Sequence, residues 1–289
     1  MQRLRWRKLQ HLWIPLIMNK TKLALITGGS SGIGLALAKQ LYQEGTSLCL
    51  LATDVEKLGQ AKTEIQALAA NESQTVETLS CDIRDHEALN AILEAWMERS
   101  GTPDLVINSA GVTYPGYFQD LDVEIFHWLM DINYYGTLHV CKIIIPKMIQ
   151  KGHGMMVNIS SQAGFAGVFG YTGYSASKYA VRGFSDVLRS EMKPLGIQVS
   201  VVSRPYTLTP QLAFEEPLKP PETKFIAGAT KPQSAELVAS DILRKVRKGK
   251  YVIIPGFDGQ FFYRLVNILG NITYTIIDIL VRIAQKKKK

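Results

Sequence analysis

Tyr174 and Lys178 stand four residues apart in the run Tyr174-Ser-Ala-Ser-Lys178, and Ser161 precedes Tyr174 by thirteen residues. On a helix, positions four apart share a face, so the phenol and the ammonium would lie side by side. A phenol with a pKa near 10 is a poor acid–base group at neutral pH. A neighbouring ammonium favours the phenolate form and brings proton transfer within reach. A tyrosine and a lysine at this spacing mark, on their own, only a helix surface. Ser161 gives the pair more weight, because it stands at the end of a predicted strand, where ligands bind in such sheets. The adjacent Ser160 shares that strand end at a spacing of fourteen.

A second group of residues reads as a phosphate cradle. Thr27-Gly28-Gly29-Ser30-Ser31-Gly32-Ile33-Gly34 lies between an aliphatic strand, Leu23–Thr27, and a segment with helical apolar periodicity (Ile33, Leu35, Leu37, Leu41). Gly28, Gly32 and Gly34 allow a pyrophosphate close to the backbone, and the helix N-terminus offers unpaired N–H groups. Asn108-Ser109-Ala110-Gly111 follows a later strand, Leu105–Asn108, and its small residues would let a cofactor lie across the sheet edge.

Positioning these residues takes an alternating scaffold. Strand-like runs at 46–52, 75–80, 105–108, 155–160, 197–202 and 251–254 alternate with helical patterns near 54–70, 85–100, 122–150, 174–193 and 234–248. Strands alternating with helices imply βαβ units, hence an α/β, doubly wound, Rossmann-type parallel sheet with helices on both faces. The stretch 204–232 carries six prolines and is too long for a plain connection, so it is a candidate lid.

Composition bounds the rest. The chain has 289 residues, 46% apolar and 20% charged, enough for one large α/β domain. Three scattered cysteines argue against a disulfide framework, and the five histidines form no ligand cluster, so no metal site is expected. The net charge is +8, but residues 1–20 carry five basic residues and Lys286–Lys289 four more, which leaves the body near −1. That distribution argues against nucleic-acid binding and for an anionic membrane surface. Phe261–Ala284 is strongly apolar but contains Arg264, Asp278 and Arg282 and is broken at Gly270-Asn271. It reads as an apolar C-terminal helical segment, an interfacial helix or hairpin, better than as a clean span. The organisation expected is a basic/apolar extension over 1–20, a dinucleotide-binding catalytic domain over 21–255 and a membrane-associating segment over 256–289, with Met18 as an alternative start.

In this order the pieces resemble the short-chain dehydrogenase/reductase family across residues 20–255: TGxxxGIG, the NxAG run, Asn133 in Asp131-Ile-Asn133, Ser161 and YxxxK. The resemblance implies a nicotinamide cofactor and roles residue by residue. Tyr174 would exchange a proton with the substrate oxygen. Lys178 would tune that phenol and bind the nicotinamide ribose, Ser161 would bind the carbonyl, and Asn133 would hold a water linking Lys178 to solvent. Asp82 would meet the adenine, and Asn108, Ala110 and Gly111 would flank the adenosine. Selection of NAD places an acidic residue at the end of the second strand, where this sequence reads Leu51-Ala52-Thr53, with Asp54 one or two positions later. With Ser30, Ser31, Thr53 and Lys57 available for a 2′-phosphate, NADPH is expected, with NADH as the alternative.

Within the family, Ser160-Ser-Gln-Ala-Gly164, Phe169-Gly-Tyr-Thr172 and Tyr174–Gly183 resemble the 3-ketodihydrosphingosine reductase branch. The resemblance implies a long-chain lipid ketone reduced at a membrane, with the catalytic domain facing the cytosol: the endoplasmic reticulum in a eukaryote, the inner membrane in a bacterium. The shorter Pro205–Pro210 loop and Thr53 depart from that branch. A reductase of a steroid, retinoid or ketoacyl thioester is the alternative, and a non-catalytic dinucleotide-binding protein is a third reading that the complete Ser161, Tyr174, Lys178 set disfavours. Self-association into a homo-oligomer is left open.

Overall fold

The computed structural model describes residues 21–228 and 231–287. The basic extension over 1–20 and Lys288 and Lys289 lie outside the described residues. The main sheet takes β1 (Leu23–Thr27), β2 (Ser47–Ala52), β3 (Val76–Ser80), β4 (Leu105–Asn108), β5 (Gly154–Ser161), β6 (Ile197–Arg204) and the short Val252–Ile253 strand, in the order 3-2-1-4-5-6 followed by that last strand. Every pairing in it is parallel. The order reverses between β1 and β4, which makes the crevice at their C-terminal ends the place where ligands bind in such sheets.

The strands lie there because both of their faces are covered. Along β1, Ala24 and Ile26 enter one apolar cluster with Leu37, Leu41, Val238 and Ile242, while Leu25 enters the opposite one with Leu93, Trp96, Ile144 and Met148. A period of two with both faces apolar gives a near-continuous hydrophobic run, the signature of a doubly covered parallel strand. The helices that cover it are α1 (Gly32–Gln43), α2 (Val55–Gln66), α3 (His86–Ser100), α4 (Val123–Met130), α5 (Gly136–Lys151) and α6 (Thr172–Met192). The expected helix over 122–150 is instead α4 and α5 joined by a π-turn at Asp131–Tyr135. Asn133 sits inside that turn, and single π-turns recur at functional sites.

The proline-rich stretch after β6 is ordered into α7 (Pro210–Glu215), α8 (Pro221–Ala227) and a two-residue pairing of β7 (Thr207–Leu208) with β8 (Gln233–Ser234). Helix α9 (Ala235–Arg247) returns to the core, and the Val252–Ile253 strand, β9, closes the sheet. Beyond it, α10 (Phe257–Leu269) and α11 (Ile272–Lys286) form a hairpin bent by 118°. Among the described residues no single helix is long and apolar enough to cross a membrane. The hairpin packs on the domain through Tyr263, which accepts a hydrogen bond from Arg182 at 3.0 Å and stacks edge-on against Phe165.

Candidate active site

The C-terminal ends of β1, β4, β5 and β6, with the first turn of α1 and the start of α7, enclose one cleft. It is lined by Gly28, Ser31, Gly32, Ile33, Gly34, Ser109, Ala110, Gly111, Ile159, Tyr174, Lys178, Arg204, Thr209, Pro210 and Gln211. Nine of these were expected at the site from the sequence. The other six, Arg204 and Gln211 among them, were not.

The glycine loop is shaped by contact with β4's end. Gly28 has φ +63°, and a Cβ there would meet the Ala110 Cα at 2.8 Å. At Gly34 a Cβ would lie 2.2 Å from the Gly28 carbonyl oxygen. Thr27 Oγ1 accepts from the Ser109 and Ala110 N–H groups, each at 3.1 Å, which ties the two loops together. Ser31 caps α1 without using its hydroxyl on the helix. The first N–H groups of α1 therefore face the cleft without intrahelical partners, a ready anion site. These features fit the pyrophosphate of a nicotinamide dinucleotide. Gly28→Ala should strain a left-handed backbone and push against Ala110. We expect it to weaken dinucleotide binding by about tenfold or more and to lower the thermal midpoint by a few degrees. Fluorescence titration and a melting curve check both effects.

The acid–base residues are set by α6, which lies against β5 and β6. Tyr174 and Lys178 are both buried, at 4% exposure each, on one face of α6. The Lys178 Nζ donates to the Ile159 carbonyl at 3.1 Å and lies 5.8 Å from the centre of the Tyr174 ring. Its ammonium fits there because Gly111 has no side chain: a Cβ would sit 3.1 Å from Nζ and 2.8 Å from the Asn133 Oδ1. Burial lowers the Lys178 pKa to about 7, and the positive charge of Arg204 adds to the effect.

Ser160 and Ser161 are distinguished by their partners. The Ser160 hydroxyl donates to the Lys178 backbone carbonyl at 2.9 Å, away from the cleft. Ser161 Oγ accepts from the Ala163 N–H at 3.2 Å, which leaves its own hydrogen to donate. Ser161 does not line the cleft itself but stands in register with Arg204 on the next strand.

Several expected residues are placed elsewhere. The Asn133 amide is fully engaged: Oδ1 accepts from the Val112 N–H, and Nδ2 donates to the Val112 carbonyl and Ser177 Oγ. Its side chain clamps the loop carrying Gly111. Asn108 turns inward and donates to Asn158 Oδ1 at 2.8 Å. Asp82 is held by Arg84, whose Nε and Nη2 both donate to Oδ2, and this keeps its carboxyl below the ordinary range. Lys57 pairs with Asp54 at 2.8 Å on the exposed start of α2. Ser30 and Thr53 lie outside the cleft's lining, Thr53 exposed just past the end of β2.

Comparison with known proteins agrees with this geometry. The short chain dehydrogenase family model matches residues 22–217. A 3-ketodihydrosphingosine reductase of Bos taurus is 37% identical over 250 residues, covering 86% of this chain and 75% of that protein. A 3-dehydrosphinganine reductase of Danio rerio is 36% identical over 260 residues, covering 90% of this chain and 78% of the relative. A short-chain dehydrogenase from Sphingobium yanoikuyae, solved in complex with NADPH, superposes with a TM-score of 0.74 at 26% identity, covering 85% of this chain and 92% of that one. With a parallel sheet reversing at β1 and β4, a glycine cradle and the buried tyrosine–lysine pair beside it, this chain belongs to the short-chain dehydrogenase/reductase family of nicotinamide-dependent oxidoreductases.

Proposed function

We propose that the protein reduces a long-chain lipid ketone, 3-ketodihydrosphingosine to dihydrosphingosine, with NADPH, as a step of sphingolipid biosynthesis. The observation that carries this reading is the 36–37% identity to reductases named for that ketone over most of the chain. Bound in the cleft, the dinucleotide supplies the hydride equivalent for the carbonyl carbon. Ser161 donates a hydrogen bond to the carbonyl oxygen, and Tyr174 delivers the proton to it. Lys178, beside Gly111, holds the ribose and stabilises the phenolate that remains. Asn133 acts by fixing the Gly111–Val112 loop against Lys178. Gly28, Ser31, Gly32, Ile33, Gly34 and Ala110 cradle the phosphates and adenosine.

Preference for NADPH rests on Thr53 where an acid would select NAD, and on the hydroxyls of Ser30 and Ser31 nearby. Lys57 adds less charge there than its type suggests, because Asp54 neutralises it. Asp82, the expected adenine contact, keeps part of its carboxylate side chain exposed beside Arg84.

The hairpin of α10 and α11 supports an interfacial anchor. Phe261, Ile268, Ile272, Ile276 and Ile279 are exposed along it. Apolar side chains at the water surface, followed by Lys286–Lys289, suit the headgroup region of an anionic bilayer. The catalytic domain over 21–255 would then face the cytosol, at the endoplasmic reticulum or a bacterial inner membrane. Deleting residues 261–289 should move the protein from the pelleted membrane fraction to the supernatant; unchanged pelleting would contradict the anchor.

Purified protein in detergent with each cofactor and a panel of ketones tests the function. Oxidation of NADPH with 3-ketodihydrosphingosine supports the reading. Turnover only with a steroid, retinoid or ketoacyl thioester assigns another substrate, and dinucleotide binding without turnover refutes an enzyme.

A further inference from the structure

Arg204 ends β6 on the cleft wall and has no part in the roles above. Its Nη2 donates to the Tyr174 Oη at 2.9 Å. Its partner across the β5–β6 ladder is Ser161. With the Gln211 amide turned to satisfy both neighbours, Gln211 accepts from Arg204 at 2.9 Å and donates to the Gly111 carbonyl at 3.2 Å. Glu215, at the end of α7, and Tyr171, just before α6, interact with Arg204 electrostatically.

One role for such an arginine is a pin between the sheet and the stretch after β6. The contact with the phenol oxygen goes further. A phenol oxygen has one hydrogen to donate and lone pairs that accept. With Arg204 on a lone pair, the hydrogen of Tyr174 is free to point at a bound carbonyl. The Lys178 Nζ donates to the Ile159 carbonyl, not to that oxygen. The cation in direct contact with the proton donor is therefore the guanidinium.

We propose that Arg204 is a catalytic residue of this reductase, holding the phenol oxygen of Tyr174 and stabilising the phenolate left as the proton passes to substrate. This rests on the ketone reduction proposed above. In that step the O–H bond of Tyr174 breaks and an O–H bond forms on the former carbonyl oxygen. The electron pair of the broken bond stays on the phenol oxygen that Arg204 touches. The carbon is reduced by the dinucleotide, and solvent later returns a proton to the phenolate. A donor preorganised at the atom where charge develops stabilises the transition state more than the ground state. An arginine also keeps its charge at any working pH, whereas Lys178 titrates near 7. Tyr174, on the same helix, and Arg204, on β6, are the ionisable groups set against Lys178; Ile159 and Asn133 face it uncharged.

The test compares Arg204→Leu, Arg204→Gln and Arg204→Lys with the native full-length enzyme. We expect the first two to lose about 10²-fold in kcat with little change in the dissociation constant for NADPH. Arg204→Lys should recover part of the loss. Without the guanidinium, Lys178 should keep its proton to higher pH, so the basic limb of the kcat profile moves up. Nuclear magnetic resonance of labelled lysine in substrate-free protein should show the same upward shift, independently of which ketone is the substrate. Native kcat in Arg204→Gln, or a loss confined to KM, would reduce Arg204 to a pin and overturn the proposal. So would an unmoved basic limb together with an unmoved lysine titration. Failure to turn over 3-ketodihydrosphingosine alone would strike the substrate reading instead, and the comparison would then be made on the ketone that is turned over.

Discussion

Tyr174→Phe is expected to bind the dinucleotide as the native chain does and to lose about 10²-fold or more in turnover. The ring is buried between Tyr171, at 5.7 Å between centroids, and the Lys178 side chain, so phenylalanine keeps the packing. Only the hydroxyl goes, and with it the proton destined for the carbonyl oxygen. The glycine cradle and the first turn of α1 are untouched, so dinucleotide affinity should hold. Arg204 loses one acceptor but retains Gln211, which limits the stability cost. Steady-state rates beside a dinucleotide titration check the split, and near-native turnover would remove the proposed acid.

Lys178→Met is expected to abolish measurable reduction while raising the thermal stability of the cofactor-free protein at neutral pH and below. Burial of the ammonium, with the Arg204 charge second, lowers its pKa from 10.5 to about 7. The folded chain therefore binds fewer protons than the unfolded chain between those values, and this residue's contribution to stability rises with pH across that window. The penalty is complete below about pH 7 and vanishes above 10.5. Methionine fills a similar volume without a charge, so the gain should be a few degrees at pH 6 and should fade by pH 10. Melting curves across pH check it. A variant less stable than the native chain at every pH would show that the lysine contributes more by its hydrogen bond to Ile159 than burial costs it. Sites whose function demands a buried charge carry this conflict between stability and activity.

The scaffold was legible because a doubly covered parallel sheet writes continuous apolar runs between helical periods, as β1, β4 and β5 do. The cleft was legible where chemistry demands a residue type at fixed spacing: glycines that let Gly28 lie against Ala110, and a phenol one helical turn from an ammonium. It was less legible where a side chain's direction depends on a neighbour far along the chain. Asn108 follows the same small-residue motif as Ala110 and Gly111, yet the pleat points it at Asn158, fifty residues on. Ser160 and Ser161 differ by one position, and strand alternation against α6 decides which hydroxyl Lys178 takes up. Asp82 carries the expected residue type, but Arg84 two residues later claims its carboxylate.

The π-turn around Asn133 left no trace in apolar periodicity, because inserting one residue into a helix disturbs its register only slightly. Arg204 could have been noticed as the one charged residue of its strand, Ile197–Arg204, placed at the edge where ligands bind in this architecture. Only the β5–β6 register, which sets it opposite Ser161, turns that oddity into a contact with the proton donor.

A single-turnover experiment with the purified full-length chain, NADPH and 3-ketodihydrosphingosine in mixed micelles tests the central claim most directly. Native protein should form one dihydrosphingosine for each dinucleotide oxidised, and Tyr174→Phe, fully loaded with both, should form almost none. Equal product from the two proteins, or oxidised dinucleotide without the alcohol, would contradict the account.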